Sequence, residues 1–168
     1  EASFMTYDGV HRGFVLSNSI IKLSFKDISR VEENNYGLVV DSGSPHLIIF
    51  KKNLDLLDVR KLGSSIRYSK KYFKEGINVN FIKHIEENKI KLRTYERGVE
   101  NETLSCGTGA VAAAIAAHHN GIVQDFPEIL IETLGGLLEV NFNFKKKMYN
   151  NIYLSGKAKK IFSGKISL

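Results

Sequence analysis

The sequence predicts an α+β fold in which a strand-rich mixed sheet wraps around a central helix. Short apolar stretches that alternate with polar residues recur along most of the chain, as in half-buried strands. Two stretches have the pattern of a helix, and the stronger one, over 108–119, is rich in alanine and can therefore lie close inside a sheet. Helices this few cannot alternate with the strands, so we do not expect a βαβ succession.

The N-terminal part predicts strands joined by turns. "SNSIIKLSFKDI" alternates Ile21, Leu23 and Phe25, and "YDG" at 7–9 has the composition of a turn. "YGLVV" and "HLIIF" follow as apolar strands joined by the turn "DSGSP".

A short helix is expected next, in "DVRKLGSSI". Asp58 has the residue type of an N-cap. Val59, Leu62 and Ile66 then share one face, and Gly63 predicts an interruption.

The second half of the chain predicts two strands, the main helix and further strands. Asn78 and Asn80 share one face of the strand "INVNFIKHI", which is unusual unless that face meets polar groups. "KIKLRTY" pairs with it, and the main helix ends at Asn120-Gly121. "ILIETLGGLLEVNFNF" predicts a hairpin with its turn at Gly135-Gly136, and "NIYLSG" and "KKIFSGKISL" close the chain as strands.

Composition argues against several partners. The longest strongly apolar run, "AVAAAIAA", is far shorter than the roughly 20 residues of a membrane span, so no membrane partner is expected. The net charge of +6 comes from scattered lysines without a zinc or RNA-binding signature, so no nucleic-acid partner is expected. A single cysteine and the absence of signal-peptide features indicate a cytoplasmic location.

The one cysteine, Cys106, directly precedes the start of the main helix. Free amides and the positive end of the helix dipole favour a thiolate there and can hold a carboxylate. Gly107 and Gly109 let a ligand approach the backbone. These features predict an acid–base thiol with a lowered pKa beside an anion site, and the alternative is a buried, inert cysteine.

Three charged or titratable residues are further candidates. Glu96 and Arg97 end a strand ten residues before Cys106, and the intervening loop can fold them against the helix start. His46 follows Pro45 at the start of "HLIIF". The alternatives are a solvated ion pair and a structural histidine.

A non-catalytic nucleotide-binding module is the alternative from another class. "GTGAVA" fits a loose G-x-G-x-x-A fingerprint, and Asp125 lies near the expected acidic position. That fingerprint needs an apolar parallel strand directly before it, whereas "ENETLS" is polar, which disfavours this interpretation.

"YERGVENETLSCGTGAVAAA" strongly resembles the second-cysteine signature of diaminopimelate epimerases. "DSGSPH", "IRYSKKYFKEGINVNF", "GGLLEV" and "LSGKAKKIFSGKISL" extend the resemblance over nearly the whole chain, in the family's order. It implies an epimerase that interconverts L,L- and meso-diaminopimelate, for lysine and cell-wall precursors, without pyridoxal phosphate or metal. A related racemase or isomerase acting on another amino acid is the alternative within the fold.

The resemblance also implies roles for individual residues. In the family two cysteines flank the α-carbon; one removes the α-proton and the other delivers a proton to the opposite face. Cys106 corresponds to the second cysteine, Glu96 and His46 to its acid–base supporters, and Asn78, Arg97, Gly107 and Thr108 to substrate binders. Ser44 stands where many members carry a substrate-binding asparagine.

Finally, the resemblance implies that the chain corresponds to the C-terminal two-thirds of an epimerase and lacks the first cysteine motif. Residues 1–33 are expected to be the final strands of an N-terminal domain, 34–155 the C-terminal domain, and 156–168 a last strand that returns to the first domain. The implied partners are the N-terminal half of the same enzyme and a second copy in a homodimer. The chain alone is expected to be inactive.

Overall fold

The computed structural model describes residues 1–6, 8–16, 19–124 and 126–166. Within these residues the chain forms twelve strands and two helices. The strands are β1 (Ala2–Thr6), β2 (Gly9–Val15), β3 (Ile20–Ser24), β4 (Val31–Asn34), β5 (Gly37–Asp41), β6 (Pro45–Phe50), β7 (Asn78–Glu86), β8 (Lys89–Glu96), β9 (Asn101–Thr103), β10 (Ile129–Thr133), β11 (Gly136–Lys145) and β12 (Met148–Lys157). The helices are α1 (Val59–Arg67) and α2 (Gly107–His119), and within the described part neither is long and apolar enough to cross a membrane.

The described strands form one mixed sheet. Its order is β1-β2-β3-β12-β11-β10-β8-β7-β6-β5-β4, and β9 pairs with β8 beside this path. β6 runs parallel to β7, and β8 runs parallel to β10, while neighbours such as β7 and β8 are antiparallel. The predicted strand-rich mixed sheet with few helices is confirmed.

Helix α2 lies in the larger of the two hydrophobic clusters. Its residues from Gly109 to Ala117 are buried, and it contacts seven strands: β5, β6, β7, β8, β10, β11 and β12. Alanine on every side of the helix makes this possible, because small side chains let several strands approach one helix closely. The helix ends at His119 with Asn120 as its C-cap, and Gly121 follows with a φ of 69°, so the predicted stop at Asn120-Gly121 is confirmed.

Helix α1 packs on β7, β8 and β9, on the face of the sheet opposite α2. Leu47, Val79 and Tyr95 point into its cluster, whereas the residues next to them in sequence face α2, because side chains alternate along a strand. Asp58 accepts a hydrogen bond from the Lys61 amide at 2.9 Å and caps the helix as predicted. The predicted interruption at Gly63 is wrong: the helix continues, and a Cβ at Gly63 would collide with the Tyr95 ring.

The C-terminal strand ends earlier than predicted. β12 pairs with β3 from Tyr153 to Lys157, and residues 158–166 form no strand. The strand predicted over 156–168 is therefore wrong over 158–166, because β3 begins at Ile20, the partner of Lys157, and offers no further residue for pairing. In the β10–β11 hairpin the turn falls at 134–135, one residue before the predicted position. Tyr7 of the predicted "YDG" turn and Ser167 and Leu168 of the predicted last strand lie outside the described residues.

Candidate active site

The predicted site residues converge at the N-terminal end of α2. Parallel pairing of β6 with β7 places His46 beside Asn78, and the turn before β6 carries Ser44 to the same edge. The hydroxyl of Ser42 donates to the Thr108 carbonyl at 2.8 Å and so ties this turn to the first turn of the helix.

Four of the predicted residues share one hydrogen-bond network. The Nε2 atom of His46 lies 2.9 Å from Thr108 Oγ1 and 3.0 Å from Ser44 Oγ. The amide of Asn78 donates to Ser44 Oγ at 3.3 Å and to the Pro45 carbonyl at 3.1 Å. Ser44, which takes the place of an asparagine in many family members, therefore contacts both His46 and Asn78.

The end of β8 brings Glu96 and Arg97 to the same place. The Arg97 amide donates to Asn78 Oδ1 at 2.9 Å, and its guanidinium Nη1 donates to the Glu75 carbonyl at 2.8 Å. The connection to Cys106 is not only a loop, because the short strand β9 folds back and pairs Asn101 with Glu96. Both charged side chains are half-buried, so the interpretation as a fully solvated pair is excluded.

Cys106 is the N-cap residue of α2 and is 8% exposed. Its carbonyl accepts from the Ala110 amide at 2.9 Å, and its Sγ lies 3.5 Å from Thr108 Oγ1. Gly107, the first residue of the helix, is half-buried next to it. A Cβ at Gly107 would contact the Leu154 side chain at 3.1 Å.

The predicted lowering of the Cys106 pKa is wrong. Burial raises the pKa of the thiol above its ordinary value of 9.0, and the negative charge of Glu96 also raises it. Hydrogen bonds from the Thr108 hydroxyl and from the Gly109 and Thr108 amides oppose this but are too weak to offset the loss of solvation. At neutral pH the side chain is therefore a protonated thiol, which is the form that delivers a proton.

His46 is completely buried and neutral. Burial lowers its pKa to about 3, and the positive charge of Arg97 acts in the same direction. Both ring nitrogens lie within hydrogen-bond distance of neighbours, since Nδ1 is 2.9 Å from the Asn80 amide nitrogen. His46 is therefore a neutral hydrogen-bonding group in this chain at neutral pH.

Sequence reasoning found part of the buried layer beneath the site. The alternation of Asn78 and Asn80 predicted a strand face that meets polar groups, and Asn80 does bond His46. Thr94, which donates to Asn80 Oδ1 at 2.9 Å, was missed, as was Ser42. A single threonine within a strand and a serine within a turn carry no signal in one sequence.

The N-terminal strands also reach the site. A cavity of about 220 Å³ adjoins Thr108 and is lined on its other side by Asp8 and His11. The His11 ring lies 2.7 Å from the Ser24 carbonyl through Nδ1 and 2.9 Å from Asp8 through Nε2. The hydrogen bond to the Ser24 carbonyl, together with that to Asp8, raises the pKa of His11, so this histidine holds β2 against β3 and can carry a proton on both ring nitrogens.

Gly109→Ala is expected to disturb the site directly. A Cβ at this position would lie 2.7 Å from Asn80 Oδ1 and 3.2 Å from Cys106 Sγ, so α2 or both side chains must move. Overpacking of this kind costs about 1–3 kcal/mol. Urea unfolding should show that loss, and Gly164→Ala is the matched control because nothing lies within 4 Å of its added Cβ. Equal stability of the two variants would contradict the described packing of α2 on Asn80.

The chain matches the family model for "Diaminopimelate epimerase" over residues 38–161. A diaminopimelate epimerase from Flavobacterium psychrophilum is 41% identical over 162 residues, which cover 96% of this chain and 63% of that protein. One from Aquifex aeolicus is 35% identical over 176 residues, covering 99% of this chain and 62% of that protein. The chain thus spans just under two thirds of the length of these curated relatives.

Solved structures show the same fold at low sequence identity. A probable proline racemase from Agrobacterium radiobacter K84 matches with a TM-score of 0.67 and 13% identity, covering 99% of this chain and 60% of that one. A hydroxyproline epimerase from Agrobacterium vitis matches with a TM-score of 0.62 and 14% identity, covering 92% and 56%.

The dinucleotide-binding alternative is contradicted by the segment before α2. That segment is the three-residue strand β9, which runs antiparallel to β8, whereas the fingerprint needs a parallel βαβ unit. Asp125, the candidate ribose contact, lies outside the described residues.

Proposed function

Because this chain belongs to the diaminopimelate epimerase family, we propose that it supplies one face of an active site that interconverts L,L- and meso-diaminopimelate without a cofactor. One observation carries the proposal: Cys106, Thr108 and His46 form a continuous set of contacts at the start of α2, beside Asn78 and Arg97. The resemblance of the sequence to the family's motifs, which assigns these residues to the site, supports the proposal.

The proposed chemistry exchanges protons across one carbon atom. A thiolate on one side removes the α-proton of the substrate, and the Cys106 thiol gives its proton to the opposite side. One C–H bond and one S–H bond break while one of each forms, so the reaction needs no oxidant or metal. In the reverse direction Cys106 is the base. The other thiol comes from polypeptide outside these 168 residues, which contain one cysteine.

The residues around Cys106 help to hold it as a thiol. Burial keeps Cys106 in the thiol form, and the negative charge of Glu96 adds to this effect because it disfavours a thiolate. Neutral His46 acts with Glu96 as a supporter of the thiol, by holding the Thr108 hydroxyl.

The amides of Gly107 and Thr108 bind one substrate carboxylate at the positive end of α2. Arg97, Asn78 and Ser44 bind the remaining polar groups.

We further propose that the sheet wraps around α2 as the central helix of one complete domain, residues 34–155. Residues 1–33 belong to an incomplete second domain, to which the chain returns after 155. An N-terminal segment of the same enzyme and a second copy in a homodimer are the proposed protein partners.

Deuterium exchange tests the function. An enzyme with both cysteines is incubated with L,L-diaminopimelate in D₂O, and the meso product is expected to carry deuterium at the inverted α-carbon. The same assay on proline, glutamate and aspartate distinguishes a diaminopimelate epimerase from a racemase of another amino acid. Binding of diaminopimelate without any exchange would refute the enzymatic proposal.

Arg97→Lys is expected to raise the Michaelis constant about 10- to 100-fold with a smaller change in kcat. Lysine keeps the charge but loses the planar fork that binds a carboxylate in two places, and hydrogen bonds to charged groups contribute about 1.5–3 kcal/mol. Steady-state kinetics on the enzyme with both cysteines measure this. Lys83→Arg, on the far half of β7, is the control for a basic exchange, and an unchanged Michaelis constant in Arg97→Lys would remove Arg97 from the site.

A further inference from the structure

We propose that Asn80 is a positioning residue: its side-chain amide fixes which nitrogen of His46 carries the proton, and thereby directs the Thr108 hydroxyl proton to the Cys106 sulfur. This inference rests on the proposed function for its catalytic meaning. The direction of each hydrogen bond, from donor to acceptor, is a property of this chain and can be tested without enzymatic turnover.

The orientation of the Asn80 amide is determined by its surroundings. The nitrogen Nδ2 lies 3.3 Å from the Leu47 carbonyl and 3.4 Å from the Asn78 carbonyl. The oxygen Oδ1 accepts from the Thr94 hydroxyl at 2.9 Å. Exchanging the two atoms would place an oxygen against two carbonyl oxygens in a fully buried position, so only the nitrogen can face them.

The same nitrogen determines the tautomer of His46. Nδ2 is 2.9 Å from His46 Nδ1, and since it is a donor, Nδ1 must accept and carries no proton. The neutral ring therefore holds its proton on Nε2, which points at Thr108 Oγ1 and Ser44 Oγ. His46 is thus a donor toward the site.

The Thr108 hydroxyl then has one direction left for its own proton. Its oxygen accepts from His46 Nε2 at 2.9 Å and lies 3.5 Å from the donor Ser44 Oγ. Of the hydrogen-bond partners that the described residues offer this hydroxyl, Cys106 Sγ at 3.5 Å is the one left to accept, and it accepts most strongly when it is a thiolate. Asn80 therefore stabilises, through two intervening side chains, the form of Cys106 that remains after proton delivery.

Asn80→Leu is expected to move the ring proton of His46 from Nε2 to Nδ1. Leucine has nearly the same shape but no donor, so His46 Nδ1 and the carbonyls of Leu47 and Asn78 would all lose the hydrogen bond from Asn80 Nδ2. With that donor gone, the ring proton is no longer excluded from Nδ1, and the acceptors around the vacated amide favour it there. Nε2 then becomes an acceptor, and the Thr108 hydroxyl can donate its hydrogen bond to Nε2 in place of Cys106 Sγ.

Two measurements on the 168-residue chain test the proposal. ¹⁵N-histidine NMR reads the tautomer of His46, and the rate of iodoacetamide alkylation at pH 8.5 reads the thiolate fraction of Cys106. In the unsubstituted chain we expect the Nε2–H form. In Asn80→Leu we expect the Nδ1–H form and alkylation about three- to tenfold slower, the range that one hydrogen bond spans. Thr108→Val should slow alkylation equally, and the double variant should show no additional slowing.

Thr94→Val is the matched control for simple destabilisation. It leaves Asn80 Oδ1 without its donor and lowers stability, but the two carbonyls still hold the amide nitrogen against His46. We expect the Nε2–H form and alkylation within twofold of the unsubstituted chain. An Nδ1–H ring in the unsubstituted chain overturns the proposal even if no variant folds. Equal alkylation of Asn80→Leu and Thr94→Val overturns it as well. Neither result bears on whether the complete enzyme epimerises diaminopimelate.

Discussion

Cys106→Ala is expected to abolish conversion of L,L- to meso-diaminopimelate in an enzyme that carries both cysteines. The thiol at the start of α2 is the proton donor for one face of the α-carbon, and a positioned acid or base contributes typically 10²- to 10⁴-fold. Of the nearby groups, His46 cannot replace it, because the ring is buried and its pKa is lowered to about 3. A chiral separation of the products measures the loss.

The same variant should still exchange hydrogen on one face. The remaining thiolate can remove the α-proton of one stereoisomer and return a deuteron to the side it came from. Incubation in D₂O is therefore expected to label that stereoisomer slowly with retention of configuration. Ser105→Ala is the matched control, since this neighbouring side chain is exposed, and it should epimerise normally. Inversion by Cys106→Ala at more than about one hundredth of the original rate would remove Cys106 as the donor.

Elements defined by local pattern were predictable from the sequence. The bounds of α2 were correct to within one residue, because its alanines favour a helix and Asn120-Gly121 ends one without help from distant parts of the chain. The Asp58 cap was predictable for the same reason. Gly63 was misread as a helix interruption. The structural reason for a glycine at this position is the Tyr95 ring, which leaves no room for a Cβ and comes from a strand far along the chain.

The site was predictable only as far as the motif extends. The resemblance grouped Cys106, Glu96 and His46, but it could not give the register that places Asn80 opposite Thr94 and brings its side chain within hydrogen-bond distance of His46. Strand register depends on contacts between distant segments. The error in the Cys106 pKa has the same origin: the helix start favours a thiolate locally, while the burial that outweighs it comes from strands elsewhere in the sequence.

The purified 168-residue chain is expected to form no detectable meso-diaminopimelate from the L,L isomer. Epimerisation needs a proton donor or acceptor on each side of a planar carbanion, and the one cysteine of this chain reaches one side. His46 has both ring nitrogens engaged in the buried network, and its pKa is lowered to about 3. Among the described residues near the site, Glu96 and the hydrogen-bonded pair of His11 and Asp8 across the neighbouring cavity are the titratable groups left to serve the second face.

The assay follows product formation by chiral chromatography, with intact mass confirming the 168 residues. Restoring the second thiol, by supplying a polypeptide that carries the first-cysteine motif, is the positive control. Robust turnover by the chain alone would show that another group of this chain acts as the second base. Whichever of Glu96→Gln and His11→Gln abolishes that turnover, while leaving Cys106 alkylation measurable, would identify the base. The two-thiol proposal would fall in that case, because a single thiol and one other titratable side chain would be sufficient for both faces of the carbanion.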